Sequence, residues 1–139
     1  LFPQQGGWNL LDDSYNANPG SVKAGIEALV ALGGSPWVVL GNMAELGEGS
    51  EPLHREVGTY ARKLGVQKLF CLGRHAAHAA HSAGDIGEAF ADIETLVQTL
   101  QAALPHSSGV NLLVKGSRSA KMERVALLLG ADVANKGAH

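Results

Sequence analysis

Leu10-Leu11-Asp12-Asp13-Ser14-Tyr15-Asn16-Ala17-Asn18-Pro19-Gly20-Ser21 is the stretch from which the rest of the chain can be read. An apolar run from Trp8 to Leu11 stops at two acids, passes through short polar residues and reaches Pro19-Gly20. A helical spacing begins at once, with Val22, Ile26, Leu29 and Val30. The order is strand, polar loop, helix N-terminus. In a parallel sheet such loops lie at the carboxyl edge, where ligands bind. Pro19-Gly20-Ser21 already supply the turn and the N-cap of a plain connector. Asp12, Asp13, Tyr15, Asn16 and Asn18 exceed that need. A ligand loop and a merely polar loop are the two readings.

Working outward, the same alternation repeats. Apolar runs at Asn9–Leu11, Trp37–Leu40, Lys68–Leu72 and Val110–Val114 read as strands, with a weaker one at Glu88–Phe90. Between them, Leu53, Val57, Tyr60, Ala61 and Leu64 form a helical stripe, as do Ile93, Leu96, Val97, Leu100 and Leu104. Val125, Leu128 and Leu129 make a shorter one, and Ser50 is the expected N-cap before Pro52. Strand alternating with helix predicts an α/β fold, a Rossmann-like three-layer sandwich whose mostly parallel sheet carries helices on both faces. The nearly continuous apolar strands agree with burial on both sides. Asn135 to His139 read as a frayed tail.

Composition narrows the class. The 139 residues fit one domain spanning 1–139, with 45% hydrophobic and 17% charged residues, as in an ordinary globule. A net charge of −2 makes no electrostatic case for nucleic acid or an anionic membrane surface. Cys71 is the sole cysteine; it has no disulfide partner within the chain and reads as a small core residue. No segment has the length of a membrane span and no signal peptide is evident, so a cytoplasmic location is expected. The opening Leu1-Phe2-Pro3-Gln4-Gln5-Gly6-Gly7-Trp8 reads as a linker, as if this were a piece of a larger protein.

Three polar segments follow strands, and the fold would bring them to one edge. They are Asp12 to Ser21, Gly41 to Ser50, and Lys115-Gly116-Ser117-Arg118-Ser119. The glycines of the second allow close backbone approach to a ligand. The third joins cations, hydroxyls and a helix start, which suits a carboxylate or phosphate, although a solvated cap with two surface charges reads the same way. Neither a G-x-x-x-x-G-K-[ST] loop nor a G-x-G-x-x-G fingerprint occurs, so this chain does not cradle a triphosphate alone. His75, His78 and His81 drift around an Ala-rich helix without carboxylate or thiol among them, and read as a surface face rather than a metal site. His54, beside Arg55 and Glu56, reads as exposed.

Asp12-Asp13-Ser14-Tyr15-Asn16-Ala17-Asn18-Pro19, Gly41-Asn42-Met43-Ala44-Glu45-Leu46-Gly47 with Leu53-His54 and Glu56-Val57-Gly58, and Val114-Lys115-Gly116-Ser117-Arg118-Ser119 with Met122-Glu123 occur in that order. Through nearly its whole length the chain thereby resembles the C-terminal domain of the Mur ligase family. The resemblance implies a three-domain enzyme of which this chain is the last domain, with the N-terminal and central domains as its partners. It implies an ATP-dependent ligase of peptidoglycan precursor synthesis that joins D-alanyl-D-alanine to UDP-N-acetylmuramoyl-tripeptide. ATP and Mg2+, bound mainly by the central domain, would activate the tripeptide as an acyl phosphate for attack by the dipeptide amine. No catalytic residue is implied in this domain alone, and the isolated chain is expected to be inactive. Carried over, Asp13 would meet the ATP ribose, with Tyr15, Asn16 and Asn18 on the nucleotide side. Asn42, Glu45, Lys115, Ser117 and Arg118 would face the dipeptide, with the Arg118 guanidinium held at the sheet edge to fork onto its terminal carboxylate. Family members commonly carry Asp where this chain has Asn42, which keeps the hydrogen-bonding shape and loses the charge. A stand-alone α/β nucleotide-binding or regulatory module, and an interaction domain without ligand, are the competing readings.

Overall fold

The computed structural model describes residues 1–4, 6–14 and 17–130. Tyr15, Asn16 and the tail from Asn135 to His139 lie outside the described residues. The strands are β1 (Phe2–Pro3), β2 (Asn9–Asp13), β3 (Ser35–Gly41), β4 (Lys68–Leu72), β5 (Gly87–Phe90) and β6 (Val110–Lys115). The helices are α1 (Pro19–Ala31), α2 (Ser50–Leu64), α3 (Ala76–Ser82), α4 (Ile93–Ala103) and α5 (Glu123–Leu128). One sheet holds the strands in the order β1-β2-β6-β3-β4-β5. Every pairing from β2 to β5 is parallel, and β1 runs antiparallel to β2. The chain steps outward from β3 through β4 to β5, then returns to insert β6 between β2 and β3.

Period-two alternation along each strand divides the core between the faces. Trp37, Val39, Phe70, Val110, Leu112 and Val114 point to the side covered by Leu96, Val97 and Leu100 of α4 and Val125 of α5. Val38, Leu40, Leu69, Cys71 and Leu113 point to the side covered by Val22, Ile26 and Leu29 of α1, Val57 and Ala61 of α2, and Ala76 and Ala79 of α3. Both faces are closed, which is why β3 and β6 read as almost unbroken apolar runs. The expected three-layer α/β architecture is the one found. Burial pushes the Cys71 thiol far up, so it behaves as a core group.

Helix ends follow local chemistry. Asn18, not Ser21, caps α1: its Oδ1 accepts from Ser21 N–H at 2.9 Å, while Ser21 Oγ accepts from Asn18 N–H at 3.0 Å. Pro19 occupies the first turn, where a missing N–H is harmless. Gly49 caps α2, and Ser50 is already helical, its hydroxyl turned inward. Gly65, with φ 96°, ends that helix in the left-handed turn open to glycine. Gly58 lets α2 and α3 touch, because a Cβ there would sit 2.1 Å from the Ala79 carbonyl oxygen.

The structure departs from the sequence reading at both ends. Phe2–Pro3 forms a short edge strand rather than pure linker. Leu128 is 49% exposed, and α5 instead packs through Val125 and Ala126, with Met122 just before it. Among the described residues, no helix is long and apolar enough to cross a membrane.

Candidate functional site

The carboxyl ends of β2, β6 and β3 lie side by side, with Asp13 in register with Lys115 and Lys115 in register with Leu40. The three loops of the sequence analysis therefore emerge together, next to the point where β6 inserts between earlier strands. Between them opens a cleft of about 500 Å³, lined by Ala17, Asn18, Ala44, Glu45, Ser117, Arg118 and Ser119. A second cleft of about 330 Å³ shares Ala44, Glu45, Ser117 and Ser119 and extends to Asn42, Ser50 and His75.

Of the residues singled out from sequence, Asn18, Glu45, Ser117 and Arg118 meet in the larger cleft. Arg118 is exposed and opens a short 3-10 turn, Arg118–Ala120. Its guanidinium was expected to be held at the sheet edge; among the described residues it has no hydrogen bond or ion pair, and it is exposed. Glu45 has φ 63°, a left-handed conformation that a non-glycine side chain adopts at a cost. Asn18 uses its Oδ1 and its backbone in the α1 cap while lining the cleft.

Asp13 and Lys115, expected on opposite sides of the cleft, form one ion pair. Lys115 Nζ donates to Asp13 Oδ2 at 2.5 Å, with the lysine side chain 1% exposed and the carboxylate 54% exposed. Both residues point to the α1 face of the sheet, and the lysine stem passes under Gly25, where an added Cβ would meet it only in ordinary contact at 3.7 Å. Lys115 therefore does not line either cleft; its charge reaches the edge through Asp13. On the opposite face, Asp12 Oδ1 is shielded from solvent, as is Ser14 Oγ in the following turn, and neither has a hydrogen-bond partner among the described residues.

Asn42 lines the smaller cleft, and its Oδ1 accepts from Ala76 N–H, the first amide of α3, at 2.8 Å. An amide supplies that acceptor as well as a carboxylate would, which accommodates the departure from the family pattern. The Asn42 carbonyl accepts from Ser117 N–H at 3.2 Å, stitching the second loop to the third. Met122 packs against Gly41 and Gly116, where a Cβ would come within 2.6 Å and 2.3 Å of its side chain.

His54 overturns the expectation of exposure, because it is fully buried. Its Nε2 accepts from Met43 N–H at 3.0 Å, and its Nδ1 donates to the Ser50 carbonyl at 2.7 Å. An amide nitrogen can only donate, so Nε2 must be unprotonated and the ring neutral. Burial, with the nearby His75 and His78 charges, lowers its pKa below the ordinary 6.5 despite the opposing Ser50 bond. Ser50 Oγ reaches His75 Nδ1 at 3.1 Å, and the two imidazole rings stack with centroids 6.0 Å apart. His75 is thus half-buried in this network, while His81 is exposed as expected and His78 lies 3.9 Å from Glu51. His54 lies three residues before Val57 and seven before Ala61, on the same face as that apolar stripe, which was the signal the sequence offered.

Comparison with known proteins places this geometry. The family model described as Mur ligase, glutamate ligase domain, matches residues 1–118. A UDP-N-acetylmuramoyl-tripeptide–D-alanyl-D-alanine ligase from Escherichia coli K12 is 43% identical over 131 residues, covering 93% of this chain and 29% of that protein. The Mycobacterium tuberculosis H37Rv ligase of the same name is 34% identical, covering 91% of this chain and 29% of that protein. Among solved structures, the MurF ligase from Thermotoga maritima in complex with ADP superimposes with a TM-score of 0.74 at 28% identity, over 88% of this chain and 28% of that one. A ligase of Acinetobacter baumannii superimposes with a TM-score of 0.82 at 26% identity, over 94% of this chain and 28% of that one. The chain therefore spans less than a third of the length of these relatives.

Proposed function

The chain belongs to the Mur ligase family, and we propose that it is the C-terminal domain of an ATP-dependent ligase joining D-alanyl-D-alanine to UDP-N-acetylmuramoyl-tripeptide. The observation that carries this reading is the convergence of the three family loops on one cleft beside a guanidinium that has no partner among the described residues. A cleft of about 500 Å³ has the size of a small-molecule site. The planar fork of Arg118 suits the terminal carboxylate of the dipeptide, flanked by the Ser117 and Ser119 hydroxyls. Glu45 supplies the opposite charge across the same cleft, fitted to the dipeptide ammonium. Asn42 supports this side indirectly, by tying the second loop to α3 and to the third loop, whereas Lys115, expected to face the dipeptide, instead holds Asp13.

The family resemblance assigns Asp13, Tyr15, Asn16 and Asn18 to the nucleotide; of these Asp13, half-exposed beside Lys115, offers its carboxylate as an acceptor to the ribose. The sequence holds no phosphate-binding loop, so the triphosphate and the phosphoryl transfer belong to a central domain outside this chain. Magnesium belongs there too. Hydroxyls, a guanidinium and one exposed carboxylate do not fit an ion that prefers octahedral carboxylate and phosphate oxygens. In the reaction, a tripeptide carboxylate oxygen would attack the terminal phosphorus of ATP, the bridging P–O bond breaking to release ADP. The dipeptide amine then displaces phosphate from the acyl phosphate. The role of this domain is to present that amine and to close over the intermediate, excluding water that would hydrolyse it. Domains of this kind act in the cytoplasm, where ATP and the UDP-linked precursor are found.

The test is a chimera in which this chain replaces the corresponding segment of the Escherichia coli relative. With ATP, magnesium and UDP-N-acetylmuramoyl-tripeptide, phosphate release should depend on D-alanyl-D-alanine, and the chain by itself should release none. A folded chimera whose phosphate release ignores the dipeptide overturns the reading.

A further inference from the structure

The larger cleft has a wall, Ala44 and Glu45, that belongs to a loop rather than to regular structure, and Glu45 stands in a left-handed conformation. Such backbone persists only where its surroundings over-determine it. The loop is anchored where it leaves β3. At its start, Asn42 bonds to Ala76 N–H by its side chain and to Ser117 N–H by its carbonyl. Next along, Met43 donates its amide to His54 Nε2, from a helix eleven residues further on. The His54 ring is itself oriented from behind by the Ser50 carbonyl. The Met43 amide is the last anchored group before Ala44 and Glu45.

We propose that His54 is the positioning residue of this site: its neutral imidazole locks the Met43 amide and so holds the Ala44–Glu45 wall against the cleft. His54 itself lines neither cleft, but Met43, Ser50 and His75, which it bonds or stacks against, line the smaller one. It acts through Met43. A ring that only filled space would need no acceptor at Nε2, yet the imidazole places one within 3.0 Å of a buried donor. The functional half of this inference, that the wall serves D-alanyl-D-alanine, rests on the proposed function; the lock does not.

Two substitutions separate the contacts of the ring. In His54→Gln the side-chain oxygen falls near Nε2 and retains the acceptor for Met43. In His54→Asn the shorter amide falls near Nδ1, keeping the Ser50 contact and losing Met43. Hydrogen exchange of this chain, followed residue by residue, should show Met43 protection retained in His54→Gln. In His54→Asn it should fall about tenfold or more, the scale of one buried hydrogen bond. Val57 and Ala61 in the middle of α2 should be unchanged in both. Equal Met43 protection in the two variants overturns the lock, and so does loss of protection throughout α2 in both, which would mark His54 as packing alone.

The functional arm uses the chimera with the Escherichia coli relative. His54→Asn should raise the KM for D-alanyl-D-alanine several-fold with kcat changed less, and His54→Gln should restore it. If Met43 exchange separates the variants while that KM does not move, the lock stands and the assignment of this wall to the dipeptide falls.

Discussion

Lys115, buried to 1% exposure at the end of the central strand, donates to the half-exposed carboxylate of Asp13 on the neighbouring strand at 2.5 Å. The two members of the pair are unequally solvated, so they are unequally dependent on each other. A buried ammonium without its partner keeps the full desolvation cost, whereas an exposed carboxylate turns to water. Asp13→Ala should therefore destabilise the chain by about 1–3 kcal/mol in urea unfolding. Lys115→Met, which removes the buried charge and keeps the stem under Gly25, should cost less, within about 1 kcal/mol. The double substitution should resemble Lys115→Met. If Lys115→Met is the more damaging, the pair is not organised as the geometry implies.

Arg118 lines the larger cleft without a protein partner among the described residues, and its exposure means that substitution should leave stability within about 0.5 kcal/mol. In the chimera, Arg118→Lys keeps the charge and loses the planar fork. The KM for D-alanyl-D-alanine should rise about tenfold, the scale of a hydrogen bond to a charged group, with that for ATP affected less. A dipeptide amidated at its C-terminus lacks the carboxylate and should be indifferent to the change. Equal losses for acid and amide would reduce Arg118 to a loop residue.

These two sites also show what the sequence could disclose. The alternation of apolar runs with helical stripes was enough for the α/β sandwich, because Trp37–Leu40 and Val110–Val114 are apolar on both faces and Ile93 to Leu104 repeats at helical spacing. The three polar loops were legible because each follows such a strand. The Asp13–Lys115 pair was not, since it depends on β6 inserting beside β2, a register that no local pattern encodes. His54 was misread for a similar reason. A histidine near the start of a polar helix is ordinarily solvated, whereas this one lies on the α2 face that carries Val57 and Ala61 and is covered by the loop after β3. Ser50 looked like a cap because caps are polar and local, but its hydroxyl serves the histidines instead. The short last stripe failed at Leu128, where six residues of helix are too few for a period to declare its face.

The buried imidazole gives the fold a defined response to acid. The pKa of His54 lies below its ordinary value of 6.5, first because burial disfavours the charged ring. Between the lowered folded value and 6.5 the unfolded chain binds the proton and the folded chain does not, so stability rises with pH in that window. The contribution of His54 is fully present above pH 6.5 and is lost as pH falls through the folded value. His75, just before α3, and His78 within it add a smaller lowering in the same direction. Unfolding followed from pH 8 to pH 5 should show wild type losing its advantage over His54→Gln on the acid side, since glutamine binds no proton. A difference that stays constant across the range would mean that His54 is not buried as a neutral ring.

Glu45 offers the sharpest separation of stability from function, because its backbone and its side chain make opposite demands. At φ 63° a glycine is relaxed and a glutamate is not. Glu45→Gly should relieve that conformation, leaving stability unchanged or raised by up to about 1 kcal/mol after the greater freedom of the unfolded chain is counted. Glu45→Ala keeps the strained Cβ and should be no more stable than wild type. Both variants remove the carboxylate from the wall of the cleft, so in the chimera both should raise the KM for D-alanyl-D-alanine to a similar extent, with ATP use changed less. The decisive comparison is between the two ranks. In thermal unfolding glycine should exceed alanine, while in dipeptide use the two should be level. If alanine retains normal dipeptide use, the carboxylate is not a ligand-facing group. If glycine is less stable than alanine, the left-handed turn at Glu45 is not the conformation that the folded chain holds.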